Sequence, residues 1–225
     1  MNASWPGRVA LGISLVLLPL TASAEAPRWI IAPLARAFGV PPEAELAKCR
    51  EGFRRFQAEA PMAEMRLLPV FRFDREEART EAGWTLPLAG QFMRRWEAMG
   101  LPDMILDLDR SKLVQRVAPP NFGHNQLRYL WERGAQYAQV LREAKLDTDY
   151  VWAIEVWAGR GKVGALQVYI FSADGQIVYL RLFNSHQFGE NLPFAGEAWM
   201  DFLITRLRQD LVRPPEEIFP RDGVG

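Results

Sequence analysis

Few side chains in this sequence could do chemistry. The 225 residues include two histidines, His124 and His186, and one cysteine, Cys49. His124 lies in Asn121-Phe-Gly-His-Asn125, just ahead of a helical pattern. His186 lies in Asn184-Ser-His186, just past a strand pattern. A loop that follows a strand is a usual place for a functional side chain. Ser185 beside His186 invites a nucleophile-and-base reading. Adjacent residues of an extended chain point to opposite faces, however, and no Gly-x-Ser-x-Gly elbow surrounds the serine. The segment reads as a polar loop whose side chains satisfy nearby backbone groups. Asn184, His186 and Phe188 are its candidate binding residues, and His124 is a further one. No catalytic residue is assigned.

Acidic residues form the second group. Asp103, Asp107 and Asp109 cluster near one short strand pattern, and Asp147 and Asp149 precede another. Carboxylates at strand ends can hold a metal or exchange protons. A two-residue spacing on a strand puts Asp107 and Asp109 on one face, which makes them binding candidates. The plainer reading is solvated loop charge. Two histidines and one helix-face cysteine offer no zinc-ligand spacing. No His-Glu-x-x-His, Cys-x-x-Cys or calcium-loop pattern occurs. The expectation is therefore no metal and no cofactor. Gly159-Arg-Gly-Lys-Val-Gly164 is glycine-rich and basic, but a phosphate loop leads into a helix. Here a strand pattern follows, so the stretch reads as a hairpin turn.

The elements that position these residues follow from periodicity. Leu46, Cys49, Phe53, Phe56 and Ala60 form a helical stripe over about 43–60, and Cys49 reads there as a small buried hydrophobe. Pro42 suits the start of that helix and Pro61 ends it. Arg66-Leu-Leu-Pro-Val-Phe-Arg-Phe73 is a strand whose Pro69 points to an edge or a bulge. A polar loop over 74–83 leads to a helix over 88–99, stopped by Gly100 and Pro102. Met104 to Leu108 reads as a short strand, with 111–115 continuing it or pairing beside it. The longest helix spans 126–144, with Leu127, Leu130, Trp131, Gly134, Ala138 and Leu141 facing the core. Gly134 there allows close approach of another backbone.

Three strands follow, over 150–157, 162–171 and 176–183. Asp174-Gly175 is a strong hairpin signal, so the three form an antiparallel meander. The first is almost continuously apolar and interior. Trp152 and Trp157 take its opposite faces, one in the core and one under a helix or exposed. A last helix covers 196–211 before Pro214-Pro215. The fold class is α/β, an α+β sandwich with a mixed sheet of about five strands and helices packed on it.

Residues 1–24 read as an export signal. One basic residue, Arg8, precedes an apolar run from Val9 to Leu20, then Thr21-Ala-Ser-Ala24. Small residues at minus three and minus one place cleavage after Ala24. The apolar run falls short of the roughly 20 residues of a membrane span, so no stable span is expected after cleavage. A periplasmic or secreted domain follows, with an arm and helix over 25–65, a single α/β domain over 66–213 and a loose tail over 214–225. Lysine plus arginine and aspartate plus glutamate number 27 each, a balance unlike that of a globally basic nucleic-acid binder. A lone cysteine makes no internal disulfide, so packing must supply the stability. Phe183, Phe188 and Phe194 flank the 184–193 loop. They either pin it down or present an aromatic surface to a protein or glycan.

Leu67-Leu-Pro-Val70 in the first strand and Asp149-Tyr-Val151 at the start of a later one resemble the small α/β domains of bacterial envelope proteins. These are of the TolB amino-terminal, curli-secretion and penicillin-binding-protein-activator type. The resemblance spans about 66–211 and rests on element order. It implies a non-catalytic accessory domain that contacts another cell-envelope protein; the balanced charge, separately, gives no expectation of nucleic-acid binding. Two rivals make different demands. A hydrolase needs Asp107, Asp109, His124 or His186 to converge. A small-molecule carrier needs a large apolar pocket between sheet and helices.

Overall fold

Helix α1 (Glu43–Glu59) starts where Pro42 leaves the helical conformation, with Glu43 and Glu45 in its first turn. Acidic side chains there oppose the positive end of the helix dipole. The computed structural model describes residues 41–73, 85–118, 126–159, 162–184, 194–195 and 197–219. The expected signal segment, the arm before Pro41, His124, Ser185, His186 and Phe188 lie outside the described residues. Asn184 is described in its backbone alone.

Strand β1 (Met65–Phe73), helix α2 (Thr85–Ala98), strand β2 (Ile105–Leu106), helix α3 (Leu108–Gln115) and helix α4 (Gln126–Ala144) follow α1. Strands β3 (Tyr150–Gly159), β4 (Lys162–Ser172) and β5 (Ile177–Asn184) come next. Strand β6 (Phe194–Ala195), helix α5 (Ala198–Asp210) and helix α6 (Pro215–Ile218) complete the order. The sheet runs β2-β1-β3-β4-β5, and β6 pairs with β4 off this path. β2, β1 and β3 are parallel, while β3, β4 and β5 form the antiparallel meander. None of the described helices is long and apolar enough to cross a membrane.

Parity along β3 separates two apolar surfaces. On one side Trp152 stands edge-on to Trp96 at 5.2 Å and to Phe56 at 5.8 Å. Phe92 of α2 stacks on Trp199 of α5 at 6.3 Å, and Phe53 stacks on Tyr179 at 5.7 Å. Helices α1, α2 and α5 therefore share this face. Each large side chain fully buried here contributes about 1.5–3 kcal/mol by leaving water. On the other side Tyr137 of α4 meets Tyr169 at 5.4 Å, and Tyr129 meets Trp157 at 6.3 Å. Trp157 thus packs under the first turns of α4, as its parity with Trp152 requires.

Pro69 lies in the second strand of the sheet, not at its margin. β1 pairs with β3 through all nine residues but with β2 through only Arg66 and Leu67. The Asp107 amide donates to the Leu67 carbonyl at 3.0 Å, which shows that Leu67 faces β2. By the period of two, Pro69 faces the same way. Its missing N–H falls beyond the reach of β2, so no ladder bond is lost.

Three expectations change. Residues 111–115 are not a strand but the body of α3, because Asp107 caps that helix and accepts the Arg110 amide at 2.9 Å. The tail is not loose up to Phe219. α6 packs on α1, Ile218 and Phe219 are buried, and Arg50 donates to the Phe219 carbonyl at 2.9 Å. Helix α1 is part of the main domain, since Leu46, Cys49, Phe53 and Phe56 belong to its core. Burial pushes the Cys49 thiol up to about 12, so it stays protonated as a core residue would.

Gly134 brings α4 close to side chains rather than to backbone: a Cβ there would stand 3.0 Å from Ile177 Cδ1. Gly175 is more constrained. Its φ is +77°, and a Cβ would come within 2.6 Å of Arg142 Cγ and 3.1 Å of the Ala138 carbonyl. The expected Asp174-Gly175 turn is therefore also the docking point of α4 on the hairpin. We predict that Gly175→Ala lowers unfolding free energy by about 2 kcal/mol or more, from backbone strain and overlap together. Urea unfolding measures this, and an unchanged midpoint would show that the turn relaxes freely.

Candidate functional site

Asp107 and Asp109 do not share a strand face. The strand ends at Leu106, and the chain turns into α3, which sends the two carboxylates apart. Asp109 is 91% exposed and pairs with Lys112 at 2.7 Å. Such a surface pair contributes little. Asp107 is buried. Its Oδ1 accepts the Arg110 amide, and its Oδ2 accepts Arg110 Nη1 at 2.6 Å and Arg66 Nη1 at 3.3 Å.

An open cleft of about 960 Å³ lies beside this cluster, lined by Arg66, Pro69, Asp107, Arg110, Lys112 and Gln115 among others. Its floor is the outer edge of β1 and its wall is α3. Arg66 also donates to Glu64 at 3.2 Å and to the Asp147 carbonyl at 3.3 Å. Each cation of the cleft thus meets a carboxylate, although Arg66 Nε is buried with no hydrogen-bond partner among the described residues.

The cluster is poorly set for proton transfer. Burial alone would push the Asp107 carboxyl up, but bonds from the Arg110 side chain and amide, and from Arg66, outweigh it and hold the group below the usual range. A general base works best with a pKa near the operating pH, and Asp107 is shifted the other way. Asp149 serves a structural end too, since its Oδ2 accepts the Glu64 amide at 2.8 Å. No group of three or more His, Cys, Asp or Glu able to hold a metal occurs among the described residues.

A second polar cluster escapes a reading of motifs. Glu155 and Arg133 are both fully buried between β3 and α4. Arg133 Nε donates to Glu155 Oε2 at 3.1 Å, and the Tyr137 hydroxyl donates to the same oxygen at 2.6 Å. Arg133 Nη1 reaches on to the carbonyls of Val117 at 2.9 Å and Ala118 at 3.1 Å. Burial would lower the Arg133 pKa, but the Glu155 carboxylate beside it outweighs this and holds the guanidinium above its ordinary value. One signal existed: Glu155 is the only charge in Tyr150-Val-Trp-Ala-Ile-Glu-Val-Trp157, and an interior strand demands a partner for it.

The apolar space between sheet and helices, lined by Leu67, Phe92, Ile154, Val156 and Trp199 among others, is only about 10 Å³. That is barely room for one water, so side chains fill this space among the described residues. The candidates His124, His186 and Phe188 lie outside the described residues. The Asn184 backbone ends β5 opposite Ala165. Convergence of the histidines with Asp107 is therefore not part of the described site.

The depressed Asp107 carboxyl gives a signed expectation. A group with a lower pKa folded than unfolded adds stability above its unfolded value, and that stability is lost as pH falls through the folded value. Stability should therefore drop as the pH falls below the ordinary aspartate value of about 3.9. Asp107→Asn should remove that part of the acid limb in a pH series of thermal unfolding, and an identical acid limb in the variant would contradict the assignment.

No protein-family model matches the chain, and no curated protein or solved structure does so either.

Proposed function

We propose that this chain is an exported domain of the bacterial cell envelope that binds another envelope protein and does not catalyse a reaction. The observation that carries this reading is the cleft beside Asp107. It is open, α3 walls it, and its best acid is spent on a helix cap and two guanidiniums. Paired charges at a surface favour orientation and partner choice. The secretory pattern of residues 1–24 and the sequence resemblance of 66–211 to envelope accessory domains support the same reading.

The cleft lies at the outer margin of the sheet, where β2 covers only the first residues of β1. Exposed Ile105 and Leu113 lie on β2 and α3 at this margin, at 51% and 38%. Apolar side chains beside paired charges match the mixed composition of partner surfaces.

The test is site-specific photo-cross-linking in the native envelope. A photoreactive residue at Gln115, in the cleft, should give one discrete adduct with another envelope protein, and Asp107→Ala should abolish it. The same residue at Glu143, on the exposed side of α4, should give none. Equal adducts from both positions, or none from either, would contradict the assignment of the cleft as the binding surface.

A further inference from the structure

Helix α3 is held in a way unlike its neighbours. Of its eight residues only Ser111 and Val114 are buried, so it has almost no apolar face to anchor it. Helix α1 by contrast buries Leu46, Cys49, Phe53 and Phe56. α3 is fastened instead by polar bonds at its two ends. At the amino end Asp107 caps the helix and binds Arg66 and Arg110, the Asp107 amide bonds the Leu67 carbonyl, and the Ser111 hydroxyl bonds the Pro69 carbonyl. At the carboxy end Arg133 holds the carbonyls of Val117 and Ala118, just past the last turn.

The first fastening ends on β1 and the second on Arg133 of α4, and both are held by contacts that do not involve α3. β1 is paired with β3 over nine residues, and Arg133 is fixed by Glu155 in the buried layer. What α3 covers is the outer edge of β1 past Leu67, where no described strand pairs. We infer that α3 is a strap: a segment that opens as its own unit, through loss of a few polar bonds, while the rest of the sheet stays folded. Opening it widens the cleft and uncovers the Leu67 and Pro69 carbonyls. Regions with few buried apolar contacts open at a lower free energy than the global one. The strap does not depend on what the cleft binds.

Hydrogen–deuterium exchange of the intact chain at a series of low urea concentrations tests this directly. Amides of 110–117 should exchange at least 100-fold faster than those of 134–141 in α4 and 151–156 in β3. Their rates should barely change with urea, as befits an opening that exposes little surface. Asp107→Ala should speed exchange in 110–117 by about tenfold, the size of a lost cap with its ion pairs, and leave it insensitive to urea. Ser111→Ala, which removes the bond to Pro69 without disturbing any charge, should act in the same direction. If 110–117 shares the protection and the urea slope of α4 and β3, α3 unfolds with the core and the strap is wrong.

Discussion

Glu155 stands mid-way along the most enclosed strand of the sheet, where an uncompensated carboxylate costs several kcal/mol. The fold answers with Arg133, whose guanidinium stacks over the Tyr137 ring at 4.4 Å and reaches Glu155 from α4. That requirement fixes several things together. It sets the rotation of α4 on the sheet, because Arg133 and Tyr137 must both face β3. It draws the carbonyls of Val117 and Ala118 inward, because the remaining N–H groups of the guanidinium need acceptors when buried. It also places Gly134 where α4 approaches Ile177 and Tyr169 most closely.

The two faces of the sheet are stabilised by different physics. The face under α1, α2 and α5 is a run of aromatic contacts from Phe53 to Trp199, with Asp210 and Tyr179 as its own polar link at 2.9 Å. Asp210 also pairs with the partly exposed Arg181 at 3.7 Å, whereas under α4 both members of the ion pair are fully buried. Tyr169 adds a hydroxyl bond to Gln167 at 2.7 Å, and burial, with the Glu155 charge beside it, raises its phenol well above the ordinary value. Aromatic contact tolerates sliding, whereas a buried ion pair admits one register. The ionic face is thus the one that aligns α3 and, through it, the cleft.

Where apolar periodicity is strong, the sequence was legible. The helix over 126–144 shows its stripe in every turn, and Asp174-Gly175 specifies its turn through the positive φ of Gly175. The interior position of β3 follows from its unbroken apolar run. Helix α3 was misread because it buries only Ser111 and Val114, so no period of 3.6 exists to be found. Its helix is set by the cap at Asp107, a single residue that a strand reading equally accepts. Pro69 pointed to an edge or a bulge, whereas β1 lies second in the sheet and is unpaired on one side only past Leu67. The Arg133–Glu155 pair was illegible as a pair because its partners are 22 positions apart on different elements. Helix α6 hid behind Pro214-Pro215, which end α5 yet also start a new turn.

The dependence of this architecture on the ion pair can be measured by a double-mutant cycle on Arg133→Met and Glu155→Leu, read by urea unfolding. Each single change leaves a buried charge alone and should cost about 3–5 kcal/mol. The double variant should lose less than the sum by about 3 kcal/mol, and it should fold even where a single variant does not. Losses that simply add would contradict the pair as the element that aligns α4 and α3 on the sheet.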